Sequence, residues 1–302
     1  MIELEGLGKR FGKREAVRAL DLSVDRGEIF GLLGHNGAGK STAIGMMLGQ
    51  VWPTTGSARL CGHDVMQDRN RALSQVGAIF EAPAFYEYLS GRRNLEILSQ
   101  YTERTPATRI TEVIDWVGLT GREVSAVKTY SHGMRTRLAL AQALLPEPKL
   151  LILDEPADGL DPEGMLEMRE TILRLREELG LTILLSSHLL NEVEQLCTRI
   201  AVLREGEKVF EGNLTEIQRT SNRLRLRVDD FTQVVDRLQK EGLAEPLESE
   251  PDAVALEEGV TSAEVIRRLV KWGYDVHEAH VREQTLEDFY MELVGKKEDA
   301  AE

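Results

Sequence analysis

Gly34-His35-Asn36-Gly37-Ala38-Gly39-Lys40-Ser41-Thr42 follows the apolar run 29–33 and precedes an apolar-periodic stretch from Ala43 to Leu48. A polyphosphate needs several inward-pointing donors, and only a loop poor in side chains lets backbone N–H groups come that close. Gly34, Gly37 and Gly39 supply the room, so the phosphate-binding set reads Gly34, Asn36, Gly37, Ala38, Gly39, Lys40, Ser41 and Thr42. Lys40 is placed to reach the β- and γ-phosphates and Ser41 to offer its hydroxyl to Mg²⁺, while the helix that starts here turns its positive dipole end to the anion. A chance glycine-rich turn would need neither the strand before it nor the helix after it. The segment is a P-loop, the Walker A motif.

Asp154-Glu155 ends the apolar run 150–153, as a central strand buried on both faces would end at the ligand-binding edge of an open α/β sheet. One carboxylate of the pair suits Mg²⁺, and the other suits the orientation and deprotonation of an attacking water. Taken alone the pair is two solvated loop acids; a phosphate loop upstream changes that. Glu81 follows the apolar run 76–80 and is expected at the same edge, beside the phosphates and Mg²⁺. An ionised glutamate only accepts hydrogen bonds and binds a hard cation more strongly than an amide does. Ser131, in Tyr130-Ser131-His132-Gly133-Met134-Arg135, stands at the N-cap of a helical run and opens a second anion site. Phe11, beside Gly12, has a ring face that suits a purine as well as it suits a core.

These residues need a scaffold, and the hydropathy pattern provides one. An antiparallel meander precedes the P-loop, with alternation at Ile2 and Leu4, a turn at Gly12-Lys13 and a second strand over 19–24. Strands are predicted over 57–61, 76–80, 150–153 and 182–186, with a helical insertion from about 89 to 127. Met165, Met168, Ile172, Leu175 and Leu179 recur at helical spacing and Gly180 ends that helix. His188 follows the strand at 182–186; a helix over 190–197 and a hairpin turning at Glu205-Gly206 close an α/β domain near Gly212. Beyond it, strands at 224–228, 254–256 and 274–276 and a helix at 234–238 make a small α+β domain over 221–295, and 296–302 is a polar tail expected to be disordered.

Composition narrows the function. The chain has 302 residues, enough for roughly two domains, and 37 Lys+Arg against 51 Asp+Glu, a formal net charge of −14. That disfavours a general nucleic-acid binder, since a phosphate backbone demands a basic footprint. Cys61 and Cys197 have no metal-ligand spacing and read as two reduced, mostly buried thiols. The first residues are acidic where a signal peptide is basic, and no apolar stretch is long enough to span a bilayer, so a membrane role is expected to come through a partner.

In order and type these motifs resemble those of the nucleotide-binding subunit of an ABC transporter, from about Met1 to Gly212. The resemblance implies a P-loop NTPase fold with a mainly parallel sheet, an antiparallel β subdomain and a helical subdomain. It makes Phe11 the adenine-stacking aromatic, Glu81 the Q-loop residue, Ser131 and Gly133 the surviving positions of the signature, and Asp154-Glu155 the Walker B acids. Gly159-Leu160-Asp161 resembles the D-loop, and His188, which alone would read as structural, falls at the γ-phosphate switch histidine. Two departures stand out. The usual Q-loop glutamine is Glu81, and the LSGGQ signature reads Tyr130-Ser131-His132-Gly133-Met134.

The stretch 81–86 is similar to that of bacitracin- and lantibiotic-type export ATPases, and 285–290 resembles the accessory domain of ABC-2-type exporters. The resemblance further implies a Mg²⁺-dependent ATPase. It would bind ATP between two head-to-tail chains, either two copies or a copy and a homologous ATPase, and energise an integral membrane permease. It would sit in the cytoplasm on the inner face of the membrane. A soluble ATP-driven clamp on nucleic acid or a GTP switch are the rivals; the acidic charge disfavours the first and the lack of an N-K-x-D loop the second.

Overall fold

The computed structural model describes residues 1–80, 84–101, 105–219, 223–247, 251–257, 259–282 and 285–295. Glu81, the 296–302 tail and part of the 81–86 stretch lie outside the described residues. Two compact units form, Met1–Gly212 and Asn213–Glu302.

In the first unit, β1 (Ile2–Phe11) and β2 (Arg14–Val24) pair antiparallel around the Gly12 turn, and β4 (Thr55–Leu60) and β5 (His63–Asp64) complete a sheet of order β2-β1-β4-β5. Alternation places Ile2, Leu4, Leu20 and Leu22 in a shared core with Phe30, Ile44 and Met47, and a register shift after Leu4 returns Leu7 to it.

The second sheet carries the chemistry. β3 (Ile29–Leu33) leads through the P-loop to α1 (Lys40–Met47), α2 (Arg69–Leu73) precedes β6 (Val76–Ile79), α3 (Gly91–Leu98) and α4 (Ala107–Trp116) form the expected helical insertion, and α5 (His132–Leu144) is the helical run expected after Ser131. β7 (Leu150–Asp154), α6 (Pro162–Leu179), β8 (Thr182–Ser187), α7 (Leu190–Leu196), β9 (Arg199–Arg204) and β10 (Glu207–Asn213) follow. The order is β10-β9-β3-β8-β7-β6, with β3, β6, β7, β8 and β9 joined by parallel pairings. β3 and β8 are buried along their whole length, as strands covered on both faces should be. β6 is less covered than a wholly apolar run predicts: it ends the sheet, and Ala78 is exposed on it. Gly180 takes the left-handed conformation that ends α6, φ 64°.

The second unit runs α8 (Leu214–Arg219), β11 (Arg223–Val228), α9 (Phe231–Lys240), β12 (Ala244–Pro246), β13 (Ala253–Leu256), α10 (Ser262–Lys271), β14 (Val276–Arg282) and α11 (Leu286–Gly295). From β11 to β14 this is βαββαβ with sheet order β12-β13-β11-β14, the ferredoxin-like arrangement. Leu224, Leu226, Val234, Leu238, Val254, Val265 and Leu269 fill its core. The sequence pattern lacks α8, β12, α10 and α11 and places the last strand too early, at 274–276.

Candidate functional site

α1 begins without help from any side chain: Gly39 is its N-cap at φ 109°, nothing caps it, and its first turn holds no acid. Its first N–H groups therefore have no intrahelical acceptor, and the dipole's positive end opens onto a cavity of about 370 Å³. Phe11, Arg14, Ala16, His35, Asn36, Gly37, Gly39, Lys40, Ser41, Thr42 and Glu155 line it. The loop is pinned from behind. A Cβ at Gly34 would come 2.5 Å from the Leu203 carbonyl oxygen, and one at Gly39 2.5 Å from that of Ala16. Gly37, at φ 88°, faces the open side. Ala38 is buried, its amide donating to His35 O at 3.1 Å.

Lys40 is 5% exposed, and an ammonium so buried needs partners. It donates to Gly34 O at 2.6 Å and lies 3.0 Å from Glu155 Oε1. The other oxygen of Glu155 accepts from His188 Nδ1 at 2.8 Å and from the His188 amide at 3.3 Å. A carboxylate has only acceptors, so Nδ1 carries the proton. Glu155 itself sits at φ 50°, a conformation a non-glycine residue takes only when its surroundings impose it.

Ser186 imposes part of it. Its hydroxyl donates to Asp154 Oδ1 at 2.5 Å and accepts from the Glu155 amide at 3.0 Å, linking both acids to β8. Asp154 and Ser186 are level in the parallel register of β7 and β8.

Ser131 and Gly133 do not reach this cavity. Ser131 caps α5, accepting from the Met134 amide at 3.2 Å, and Gly133 lies against Leu160. They form a separate donor surface at a helix start. Phe11, 51% exposed at the end of β1, has the Lys9 ammonium 4.9 Å from its ring centre.

An uncapped helix start and a buried ammonium within a glycine cradle fit a polyphosphate, and the acids beside them fit its hydrolysis. Among the described residues, no three His, Cys, Asp or Glu side chains gather to hold a metal by themselves; a cation here would be shared with phosphate oxygens. Two elements escaped sequence reading. Ser186 is hidden in an apolar run, where only a hydroxyl breaking that run would have marked it, and Arg14 reaches the cavity through the β1–β2 hairpin.

A phosphate loop after β3 and an acid pair at the end of β7, on one edge of a parallel sheet, define a P-loop nucleoside triphosphatase. The ABC transporter family profile matches residues 17–158. The chain is 36% identical over 306 residues to the uncharacterized ABC transporter ATP-binding protein YhcH of Bacillus subtilis (strain 168), covering 99% of this chain and 97% of that protein. It is 35% identical over 297 residues to the bacitracin transport ATP-binding protein BcrA of Enterococcus faecalis, covering 98% and 96%. A solved ATP-binding subunit of an ABC transporter superposes with a TM-score of 0.65 at 30% identity, covering 72% of this chain and 92% of that one.

The chain belongs to the ABC transporter ATP-binding proteins. It is accordingly an ATPase of a family whose members bind ATP or ADP, dimerise and work with membrane permeases. Among the described residues, no helix is long and apolar enough to cross a membrane.

Proposed function

We propose that the chain hydrolyses ATP for a membrane exporter, as a head-to-tail pair with a second copy or a homologous ATPase, and drives an integral membrane permease from the cytoplasmic face. The observation that supports this most is Glu155, held between Lys40 and His188 at the mouth of the glycine cradle. Export, rather than uptake, follows the similarity to the bacitracin transport ATP-binding protein and the 81–86 stretch.

In this reading Phe11 stacks on the adenine, the 34–42 loop and Lys40 hold the phosphates, and Glu155 takes the proton of the attacking water while His188 keeps its carboxylate aimed. Ser41, Asp154 and Glu81 are the residues that would hold Mg²⁺, which supplies neutralisation of phosphate charge. Ser131 and Gly133 act on the other chain's nucleotide. A lone P-loop leaves one side of the γ-phosphate open to water, and a helix start from a second chain covers it. The second unit, which has no nucleotide motif, has a regulatory or dimer-supporting role.

The test is Glu155→Gln. It keeps the side chain's shape and removes the base, so ATP binds, turnover stops and a dimer accumulates in gel filtration with ATP. A variant that stays monomeric with saturating ATP refutes the paired site.

A further inference from the structure

The start of α5 is tied to the loop after β7 by one side chain that the resemblance does not account for. His132, where the LSGGQ pattern has glycine, is the first residue of α5, and its Nε2 lies 3.1 Å from the Asp158 carbonyl oxygen. A carbonyl oxygen only accepts, so Nε2 is the donor. The loop is shaped to receive the ring: Gly159 is at φ 69°, and a Cβ there would stand 3.4 Å from Nε2. The Asp158 amide donates back to Glu155 O at 3.1 Å, and the Leu160 amide to Ala157 O at 3.3 Å. Asp161 then caps α6 by accepting from the Gly164 amide at 3.0 Å. From His132 to Glu155 the path is one side-chain hydrogen bond and one turn.

We propose that His132 is a positioning residue, a strut that makes the start of α5 and the loop from Glu155 to Asp161 move as one body. The catalytic carboxylate that a chain uses on its own nucleotide is thereby coupled to Ser131 and Gly133, which it offers to the partner's. This second consequence rests on the head-to-tail reading above; the strut itself does not. The replaced glycine has no side chain to reach Asp158, so the coupling is a property of this sequence rather than of the signature as such.

The experiment compares the full chain with His132→Gly and His132→Gln, the second keeping an N–H donor at similar reach. Amide exchange across 157–161 is expected to be about threefold to tenfold faster in His132→Gly, the factor an ordinary hydrogen bond gives, and near parental in His132→Gln. In the parent, long-range proton–nitrogen spectra are expected to find the neutral His132 ring protonated at Nε2. Parental exchange in His132→Gly, loss of protection in both variants, or an Nδ1-protonated neutral ring each overturns the strut. With ATP, His132→Gly is expected to keep single-chain nucleotide affinity while kcat falls and the Hill coefficient drops toward one, with both restored by glutamine. Unchanged kcat and cooperativity overturn the coupling. If the parent neither dimerises nor hydrolyses ATP, the head-to-tail reading fails and the coupling with it, while exchange and the tautomer still decide the strut.

Discussion

The Lys40 ammonium and the Glu155 carboxylate are 3.0 Å apart, with Lys40 almost fully buried and Glu155 about one-fifth exposed. Lys40 opens α1 after β3 and Glu155 follows β7, and these strands are not neighbours in the sheet, since β8 lies between them. The pair therefore locks the phosphate loop to the acid loop, and Ser186 on the intervening strand supports it from behind. Both oxygens of Glu155 meet donors, so a change at Lys40 reaches the carboxylate as well as the phosphates.

Lys40→Met keeps most of the aliphatic stem and removes the charge. ATPase turnover is expected to fall at least about a hundredfold, the cost typical of losing one oriented transition-state donor. Steady-state hydrolysis alongside binding of a fluorescent ATP analogue checks this. Turnover within a few-fold of the parent defeats the site assignment.

A second ion pair holds α7, the helix that comes after His188. Arg169 Nη2 and Nε meet Glu192 Oε1 and Oε2 at 2.6 and 3.2 Å, a forked pair between α6 and α7 in which Glu192 is 8% exposed. Arg169→Met strands the carboxylate in a poorly solvated place and is expected to cost about 3 kcal/mol, read from the denaturant midpoint. Arg169→Met with Glu192→Leu should recover most of that loss, because the charge left behind, and not the missing attraction, is the larger penalty.

The chemistry was legible because it is written in local patterns: the glycine spacing of 34–42 and the acids closing an apolar run. What the sequence hid depends on register and strand order. Ser186 matters only because β7 and β8 pair with Asp154 level with it. The run 76–80 looks as buried as its neighbours, and only its place at the sheet edge exposes Ala78. α8 has Leu214 and Ile217 as its buried apolar residues, too short a run for a helical period to declare itself. The ferredoxin-like order arises from crossovers that no hydropathy pattern encodes.

The two thiols give a pH prediction. Burial, and secondarily the Glu28 carboxylate, push the Cys197 thiol far above its ordinary value of 9.0, and burial raises half-buried Cys61 in the same direction. The unfolded chain releases these protons near the ordinary value while the folded chain retains them. Their contribution to stability is complete below that pH and is lost as pH rises toward the folded values, at up to about 1.4 kcal/mol per pH unit for Cys197. Denaturant midpoints compared at about pH 8 and 10 should fall less in Cys197→Ala than in the parent. Iodoacetamide should label Cys61 before Cys197, whose thiolate is rarer and whose sulfur is buried. Equal labelling rates would contradict that order.

Glu81 lies outside the described residues, but the strand leading to it does not. β6 runs parallel to β7 with Ile79 level with Leu153, one residue before Asp154, so the chain heads for the edge where the acids stand. A carboxylate joining that edge adds negative charge beside ATP and has to be balanced by Mg²⁺ or a basic group. An amide makes no such demand and still offers an oxygen to the metal. Glu81→Gln is therefore expected to leave ATP binding nearly intact while changing the Mg²⁺ concentration needed for half-maximal hydrolysis and the stimulation of hydrolysis by the permease. Magnesium titrations and permease-stimulated rates that both superimpose on those of the parent would make Glu81 a solvated loop acid with no part in the reaction.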